Sequence, residues 1–542
     1  MLAAPALAAS GPTVCMRGSG RAGTQCLRDY TATVAACRLA GDPACEAAAR
    51  AAGGSLATIL AAGQDGSEAS CTDATAAALG YLDIPDLRLR THDSCADFGD
   101  DLANIVFGDS AAGALLPCQR AIVRSTSRLR NGVVRAFGNN CYLAAFGGGR
   151  CDRPRRDRMV ARLQGQARKQ IVRRCGDVLD ADALLGTVVN RARHFAQRVY
   201  PPNNLGPTAE FGPFPIGVRT INLVDPSRLN VQGTGPRPVT VEVYYPSTAA
   251  AVAGVPKDIV RVFGIDIVAT PAFRDVDRAP GTFPVVLFSH GNGGIRFQSF
   301  FFTAHLASHG FVVVTPDHHG NTFVDALLGV VDPASAVNRP RDMSFLIDQL
   351  LAFNGESGNF FEGAIDPARI GLSGHSFGGY TTFAVAGGAF PLGTFTDARV
   401  KAILPQAPSA TVFPDAFFAT IHVPALIVGG SIDETTPFPQ NQQRPFDHLP
   451  AGASVVGLAQ LTSGGHFTFS DFCEVPRDLL AFLGGFDEAC EPRHLPWRNA
   501  HDIVNFLSLN FFDGVLNGNP DALARLAPAN LALVEDLVYQ SK

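Results

Sequence analysis

From about residue 11 to residue 199, apolar positions recur at helical spacing among Ala, Leu and Arg, as in RMVARLQGQARKQIVRRC (158–175) and LLGTVVNRARHFAQRV (184–199). These are strong helix formers, and the pattern predicts a mainly helical region. Cys15, Cys26 and Cys37 are 11 residues apart, which puts them on one face of a continuous helix. Gly18, Gly20 and Gly23 lie between them and argue against a single helix there. The pattern changes at Tyr200-Pro201-Pro202-Asn203-Asn204, a proline-rich stretch that predicts a linker. Beyond it, short apolar runs at 239–245, 283–291, 311–320, 369–374, 400–408, 424–433 and 454–462 predict strands, with amphipathic stretches such as 341–353 between them. Continuously apolar strands alternating with helices predict an α/β domain, a mostly parallel sheet covered by helices on both faces. The expected organisation is a signal-peptide remnant or a disordered Ala-rich terminus over 1–10, a Cys-rich helical domain over 11–200 and the α/β domain over 201–542.

Composition adds a compartment. The 542 residues are 46% hydrophobic and 17% charged, as expected of a folded protein with a large core. A net charge of -5 gives no global reason to expect nucleic acid as a partner, and the Arg-rich helical faces read as solvated surface. No apolar run is long enough to predict a transmembrane helix. Ten of the 12 cysteines lie in the first third of the chain, and Cys473 and Cys490 sit near the end. An even count without a C-x-x-C pair predicts disulfides in an oxidising compartment rather than zinc or another metal. MLAAPALAAS resembles the tail of a signal peptide, with Ala6-Leu7-Ala8 in the small-residue form of a cleavage site. The cysteines carry the expectation of a secreted or periplasmic protein.

The candidate chemistry gathers at strand ends, where parallel sheets collect functional groups. Ser376 stands in Gly374-His375-Ser376-Phe377-Gly378, between a predicted strand and a helix-like run, the pattern of a nucleophile elbow. Asp433 closes the next strand but one, with Pro437 framing the loop beyond, and His466 follows the last strand behind two glycines. Serine needs a base to remove its proton, histidine titrates near neutrality, and a carboxylate fixes the imidazole. Glu434 and Asp415 compete for the acid role and His448, His494 and His501 for the base, but none sits directly at a strand end. The glycine-rich turn after strand 283–291 supplies Asn292, and the elbow supplies Phe377, as main-chain N–H donors to an oxyanion. His375 reads as a packing residue. Asp317, His318 and His319 at another strand end read as hydrogen-bonded loop residues.

FPVVLFSHGNGGIR, GLSGHSFGGYTT and GGHFTFSDF together resemble the platelet-activating-factor acetylhydrolase and dienelactone-hydrolase-like branch of the α/β-hydrolases, which adjoins bacterial cutinase-like polyester hydrolases. The resemblance covers roughly residues 210–515. It implies an α/β-hydrolase fold and carboxylic-ester hydrolysis through an acyl-enzyme without a cofactor. Carried over by motif, Ser376 is the nucleophile, His466 the base, and Asn292 and Phe377 the oxyanion hole. One departure is clear. In the acetylhydrolases the acid follows the strand directly after the nucleophile, where this chain has Gln406; its acid moves one strand later, to Asp433 in GGSIDETTP, as in the polyester hydrolases. That puts phospholipid specificity in doubt, and a serine rather than a cysteine in the elbow disfavours dienelactones. Short to medium acyl esters or lipid-like esters are the expected substrates. A polyester depolymerase, an acyltransferase on the same triad and a non-catalytic binding protein are the alternatives. FQSFFF (297–302) is either an apolar acyl pocket or core, the segment 321–342 is a candidate lid, and a Cys473–Cys490 bridge is expected to hold the histidine loop.

Overall fold

A computed structural model describes residues 11–79, 81, 83–107, 116–146, 151–176, 180–200, 205, 208–475 and 489–542. The signal-like residues 1–10, the linker residues 201–204 and the helix-like run that follows Cys473 lie outside the described residues. Two compact units divide the chain: residues 1–204 with 491–499, and residues 205–490 with 500–542.

The first unit is helical: α1 (Gly11–Ala40), α2 (Ser55–Glu68), α3 (Ile84–Phe107), α4 (Leu116–Val134), α5 (Arg153–Cys175) and α6 (Ala181–Val199) are its longer elements. Its helix starts carry local signals. Asp152 accepts the Arg155 N–H at 2.9 Å ahead of α5, and Asp180 accepts those of Asp182 and Ala183 ahead of α6. The expected break in the first helix is wrong: α1 runs unbroken through all three glycines. A Cβ at Gly20 would lie 2.1 Å from the Tyr200 ring, one at Gly23 2.8 Å from Val199, and one at Gly18 2.7 Å from Ser70. These glycines are notches for close packing. Their backbone cost of about 1 kcal/mol each is offset by burial of Tyr200 and Val199.

Five disulfides staple this unit: Cys15–Cys71, Cys26–Cys95, Cys37–Cys45, Cys118–Cys175 and Cys141–Cys151. Cross-links spanning 56, 69 and 57 residues each restrict the unfolded chain by about 4 kcal/mol in the loop-entropy account. The segment 491–499 belongs to the same unit. Its Pro492 carbonyl accepts from His194 Nδ1 at 3.1 Å, and Arg498 pairs with Asp86 at 3.1 Å.

The second unit is built on a ten-stranded sheet. Its strands are β1 (Ile216–Leu229), β2 (Pro236–Pro246), β5 (Phe273–Arg274), β6 (Phe283–Ser289), β7 (Val312–Pro316), β8 (Ile365–His375), β9 (Val400–Gln406), β10 (Ala425–Gly430), β11 (Val456–Leu461) and β12 (Leu537–Ser541). A separate hairpin pairs β3 (Ile259–Val262) with β4 (Ile265–Ala269). The order across the sheet is β12-β11-β10-β9-β8-β6-β7-β2-β1-β5. The pairs from β7 to β11 are parallel, and β1, β2 and β12 join antiparallel. Each strand from β6 to β11 matches an apolar run read from the sequence. β1 does not announce itself, because Asp225-Pro226-Ser227 inside it reads as a turn and the pairing with β2 is irregular between Asp225 and Leu229.

Helices α7 (Phe300–Ser308), α8 (Ser335–Gly355) and α9 (Phe377–Ala386) cover the sheet. Phe300, Phe301 and Phe302 are buried, so that part of the phenylalanine run is core. The candidate lid resolves into a short helix, Phe323–Leu327, and the start of α8, whose Arg339 and Asp342 are fully buried. Cys473 and Cys490 are bridged, 17 residues apart, just beyond His466.

The notch reading separates two glycines of one unit. Gly20→Ala should lower the thermal midpoint of the helical unit, at a cost of about 1–3 kcal/mol for overpacking. Gly165, exposed in the middle of α5 with nothing within 4 Å of a Cβ, is the control. Gly165→Ala should stabilise by up to about 1 kcal/mol. Thermal unfolding of both variants checks the contrast; equal shifts would sink it.

Candidate active site

Ser376 stands between the last residue of β8 and the first of α9 with φ 56° and ψ −114°, a backbone region that non-glycine residues rarely occupy. The turn is tight because β8 lies beside β6. A Cβ on Gly378 would sit 1.8 Å from the Ser289 carbonyl oxygen, and one on Gly374 would sit 2.4 Å from the Gly378 oxygen. Only glycine fits either place, which gives both elbow glycines a physical reason. The Ser376 N–H donates to the Gln406 carbonyl at 2.9 Å, and its own carbonyl accepts from Ser409 N–H at 2.9 Å, so β9 and the loop after it hold the strained residue.

The three side chains singled out at strand ends meet. Ser376 Oγ lies 2.9 Å from His466 Nε2, and His466 Nδ1 lies 2.9 Å from Asp433 Oδ2. All three residues are buried, Ser376 the most exposed of them at 9%. Because Nδ1 faces a carboxylate it carries the proton, and Nε2 is left to accept from the serine hydroxyl. Asp433 is fixed by Thr436, whose N–H donates to Oδ1 at 2.6 Å and whose hydroxyl donates to Oδ2 at 2.7 Å. Thr436 was not singled out from the sequence; a threonine three residues after the acid in IDETTP is its only signal. The competing carboxylates lie elsewhere: Glu434 is exposed, and Asp415 pairs with Arg444 at 2.7 Å.

Asn292 and Phe377 each offer a main-chain N–H with no partner among the described residues. Phe377 opens α9, where the N–H has no intrahelical acceptor. Asn292 follows Gly291, whose carbonyl accepts from His290 Nδ1 at 2.7 Å and from Gly294 N–H at 3.1 Å. In a trans peptide the C=O and N–H point opposite ways, so anchoring that carbonyl turns the Asn292 N–H away from His290. A Cβ on Gly291 would lie 3.5 Å from Ser376 Cβ, so this peptide borders the serine.

Beneath the loop is a polar network that no spacing in the sequence suggested. Arg339 donates to the His290 carbonyl and to Ser289 Oγ (3.1 Å), reaches Asn321 Oδ1 at 2.8 Å, and lies 4.6 Å from the centre of the Phe377 ring. Asn321 in turn donates to the Asn292 side chain at 2.8 Å. Ser289 Oγ donates to His318 Nε2 at 2.9 Å, and His318 Nδ1 donates to Asp342 at 2.9 Å. Arg237 grips Asp342 through Nε and Nη2, both at 2.9 Å. Burial opposes ionisation of Asp342, but the hydrogen bonds from His318 and Arg237 outweigh it and hold the carboxyl well below its usual range. This serine, histidine and aspartate have the connectivity of a triad, but all are inaccessible and the acid is clamped by arginine. Their work is to fix the root of the 289–292 loop.

His375, expected to be a packing residue, also links loops. Its Nε2–H donates to the His466 carbonyl at 2.9 Å, and its Nδ1 accepts from Gln298 Nε2 at 3.0 Å. Gln298 Oε1 accepts the Gly291 N–H at 3.0 Å. One hydrogen-bonded line therefore joins the His466 loop to the Asn292 loop. The same histidine loop is stitched to the start of α7: Ser299 Oγ donates to the Phe469 carbonyl, and Asp471 accepts the Phe301 N–H, both at 2.9 Å. No group of three or more metal-ligating side chains occurs among the described residues.

Burial keeps His290, His305, His318 and His375 neutral; His305 and His318 are each pushed down to about 3. Below the unfolded value near 6.5 the unfolded chain takes up protons that these sites refuse. Stability is therefore full above pH 6.5 and falls as the pH drops toward 3, each histidine adding at most about 1.4 kcal/mol per pH unit. The thermal midpoint should be flat from pH 7 to 8 and decline steadily from 6.5 to 5. A midpoint that rises on acidification would contradict neutral burial.

Known proteins resemble part of this chain. Residues 232–474 match the PETase family, described as PET hydrolase-like. Cutinase 2 of Thermobifida cellulosilytica is 27% identical over 190 residues, 35% of this chain and 63% of the cutinase. Cutinase cut1 of Thermobifida fusca is likewise 27% identical over 190 residues, 35% of this chain and 51% of that protein. The chain thus spans about half to under two thirds of these relatives' lengths. A ferulic acid esterase from Streptomyces cinnamoneus superposes with a TM-score of 0.46 at 24% identity, covering 60% of this chain and 97% of the esterase. By its sheet order and its strand-to-helix serine the second unit has an α/β-hydrolase fold, and residues 232–474 are similar to PET hydrolase-like proteins and, in part, to bacterial cutinases.

Proposed function

We propose that the protein is a serine carboxylic-ester hydrolase. The observation that carries the reading is Ser376 in a strained turn, bonded to His466 and through it to Asp433, beside two unpaired main-chain N–H groups. In this mechanism Ser376 Oγ attacks the ester carbonyl carbon as its proton passes to His466 Nε2. Asp433 stabilises the imidazolium. The carbonyl oxygen, now negative, accepts from the N–H groups of Asn292 and Phe377. The intermediate collapses, the alcohol leaves with the proton from His466, and the acyl group stays on Ser376. Water, deprotonated by His466, then attacks the acyl-enzyme and releases the acid. The disulfides favour an oxidising compartment, so we place the protein outside the cytosol, secreted or periplasmic. No helix among the described residues is long and apolar enough to cross a membrane.

Hydrolysis of p-nitrophenyl esters from acetate to palmitate tests the reading. Ser376→Ala should lose about 10³-fold or more in kcat, and the chain-length optimum of the wild type would size the acyl pocket. Equal slow rates for both proteins would remove the assignment. Added alcohols that divert the acyl group to new esters would turn the hydrolase into an acyltransferase.

A polyester substrate is favoured by one further observation. Leu327, Leu328 and Val331 are 56%, 66% and 62% exposed, shortly after Asn321, which bonds to Asn292. Apolar residues exposed together suit a hydrophobic solid. Leu328→Ser with Val331→Ser should cut release of acid from a polyester film by several-fold while soluble-ester kcat/KM stays within about twofold. If both activities fall together, or neither does, the polymer reading fails.

A further inference from the structure

The helical unit holds a buried cation without a counter-charge. Arg130, on α4, is 5% exposed. Its guanidinium donates to Thr31 Oγ1 and, through Nε and Nη2, to Asn131 Oδ1 at 3.1 Å, so its acceptors are all neutral. The charge that bears on it is another cation, Arg28, and burial together with that repulsion pushes Arg130 down to about 10. Of the other two deeply buried arginines, one is paired with carboxylates, and the other also donates only to neutral acceptors but has a carboxylate nearby. Arg237 is clamped by Asp332 and Asp342, and Arg339 lies in the field of Asp342. Burying an isolated charge is strongly unfavourable, and chains normally supply a partner.

Arg130 also lines a cleft. It is a narrow cleft, open to solvent at its mouth, between α1, α3, α4 and α6. Leu102, Val106, Phe107, Val123 and Val188 form apolar walls, and Thr31, Ser127 and Arg130 supply the polar groups. Among the described residues the Ser127 hydroxyl has no hydrogen-bond partner, and two of the five guanidinium N–H groups are likewise uncommitted. One ligand chemistry answers all of this: a monoanion with two acceptor oxygens in a plane, to match the guanidinium fork, and a short apolar tail to cover the walls.

We propose that this cleft is a binding site for a short-chain organic carboxylate, its head on Arg130 and its tail along Leu102, Phe107 and Val123. The site is independent of the hydrolase reading and would stand if Ser376 proved inert. Binding removes the unpaired charge and apolar wall from water together, so affinity should depend on both ends of the ligand.

Titration calorimetry of the full-length protein with sodium acetate, butyrate and hexanoate, at fixed ionic strength, tests it. One site per chain is expected, tightening about fourfold per added methylene until the cleft fills. Arg130→Met should weaken butyrate by at least about tenfold, with the thermal midpoint unchanged or raised, because removing a buried unpaired charge relieves its desolvation. Should that variant fail to fold, Val123→Phe, at a half-buried wall position, should abolish the gain from butyrate to hexanoate while leaving acetate unaffected. Butyrate binding that survives Arg130→Met would overturn the proposal, since the ligand would sit elsewhere, the Ser376 site included. So would 1-butanol binding as tightly as butyrate, or sodium sulfate displacing it with no dependence on tail length.

Discussion

The second unit depends on how closely the turn at Ser376 approaches the end of β6. A side chain at Gly378 would occupy the space of the Ser289 carbonyl, so the turn can seat itself only with bare backbone at that point. Seating it forces Ser376 into a strained backbone and aims its hydroxyl at His466. It also brings α9, with its unpaired first N–H, beside the loop that leaves β6. The placement of Ser376, and of the Phe377 N–H beside the loop that leaves β6, is therefore a consequence of one packing contact between neighbouring strands. The strain is contained because β9 grips the Ser376 backbone on both sides of the turn.

A turn that close needs a rigid floor. Ser289, His318, Asp342, Arg339 and Arg237 provide it with a hydrogen-bonded network almost closed to water. Burying two arginines is a poor way to gain stability, since desolvation cancels most of the attraction. It is an effective way to fix geometry, because every member loses much if it moves. Arg339 shows the principle most directly. One guanidinium touches the carbonyl before the Asn292 loop and faces the Phe377 ring. Positioning by His375 and Gln298 follows the same logic on the side of His466.

Much of this was legible along the chain. The parallel strands are continuous apolar runs, and Ser376, Asp433 and His466 stand at their ends in an order that the sheet brings together. What stayed hidden has two physical origins. Some signals are locally ambiguous: glycine weakens a helix whether it breaks it or admits a neighbour's ring, and nothing in GSGRAG tells that Tyr200 will fill the notch. Asp225-Pro226 likewise reads as a turn although β1 continues through it. Other contacts join residues too distant for spacing to reveal. Arg237 meets Asp342 across 105 positions, and no count of cysteines could have paired Cys26 with Cys95.

The membership of residues 491–499 in the helical unit bears on the order in which the chain is made. A ribosome releases α1 to α6 and their ten cysteines long before Pro492 exists. His194 must wait for nearly three hundred further residues before the carbonyl it bonds to emerges. Domains made first usually finish first, but this one cannot: its last piece arrives only after the neighbouring sheet has received all but its final strand. A gene fragment ending at residue 204 would encode the staples and omit the clasp, so the two units are separate as bodies but not as inheritable parts.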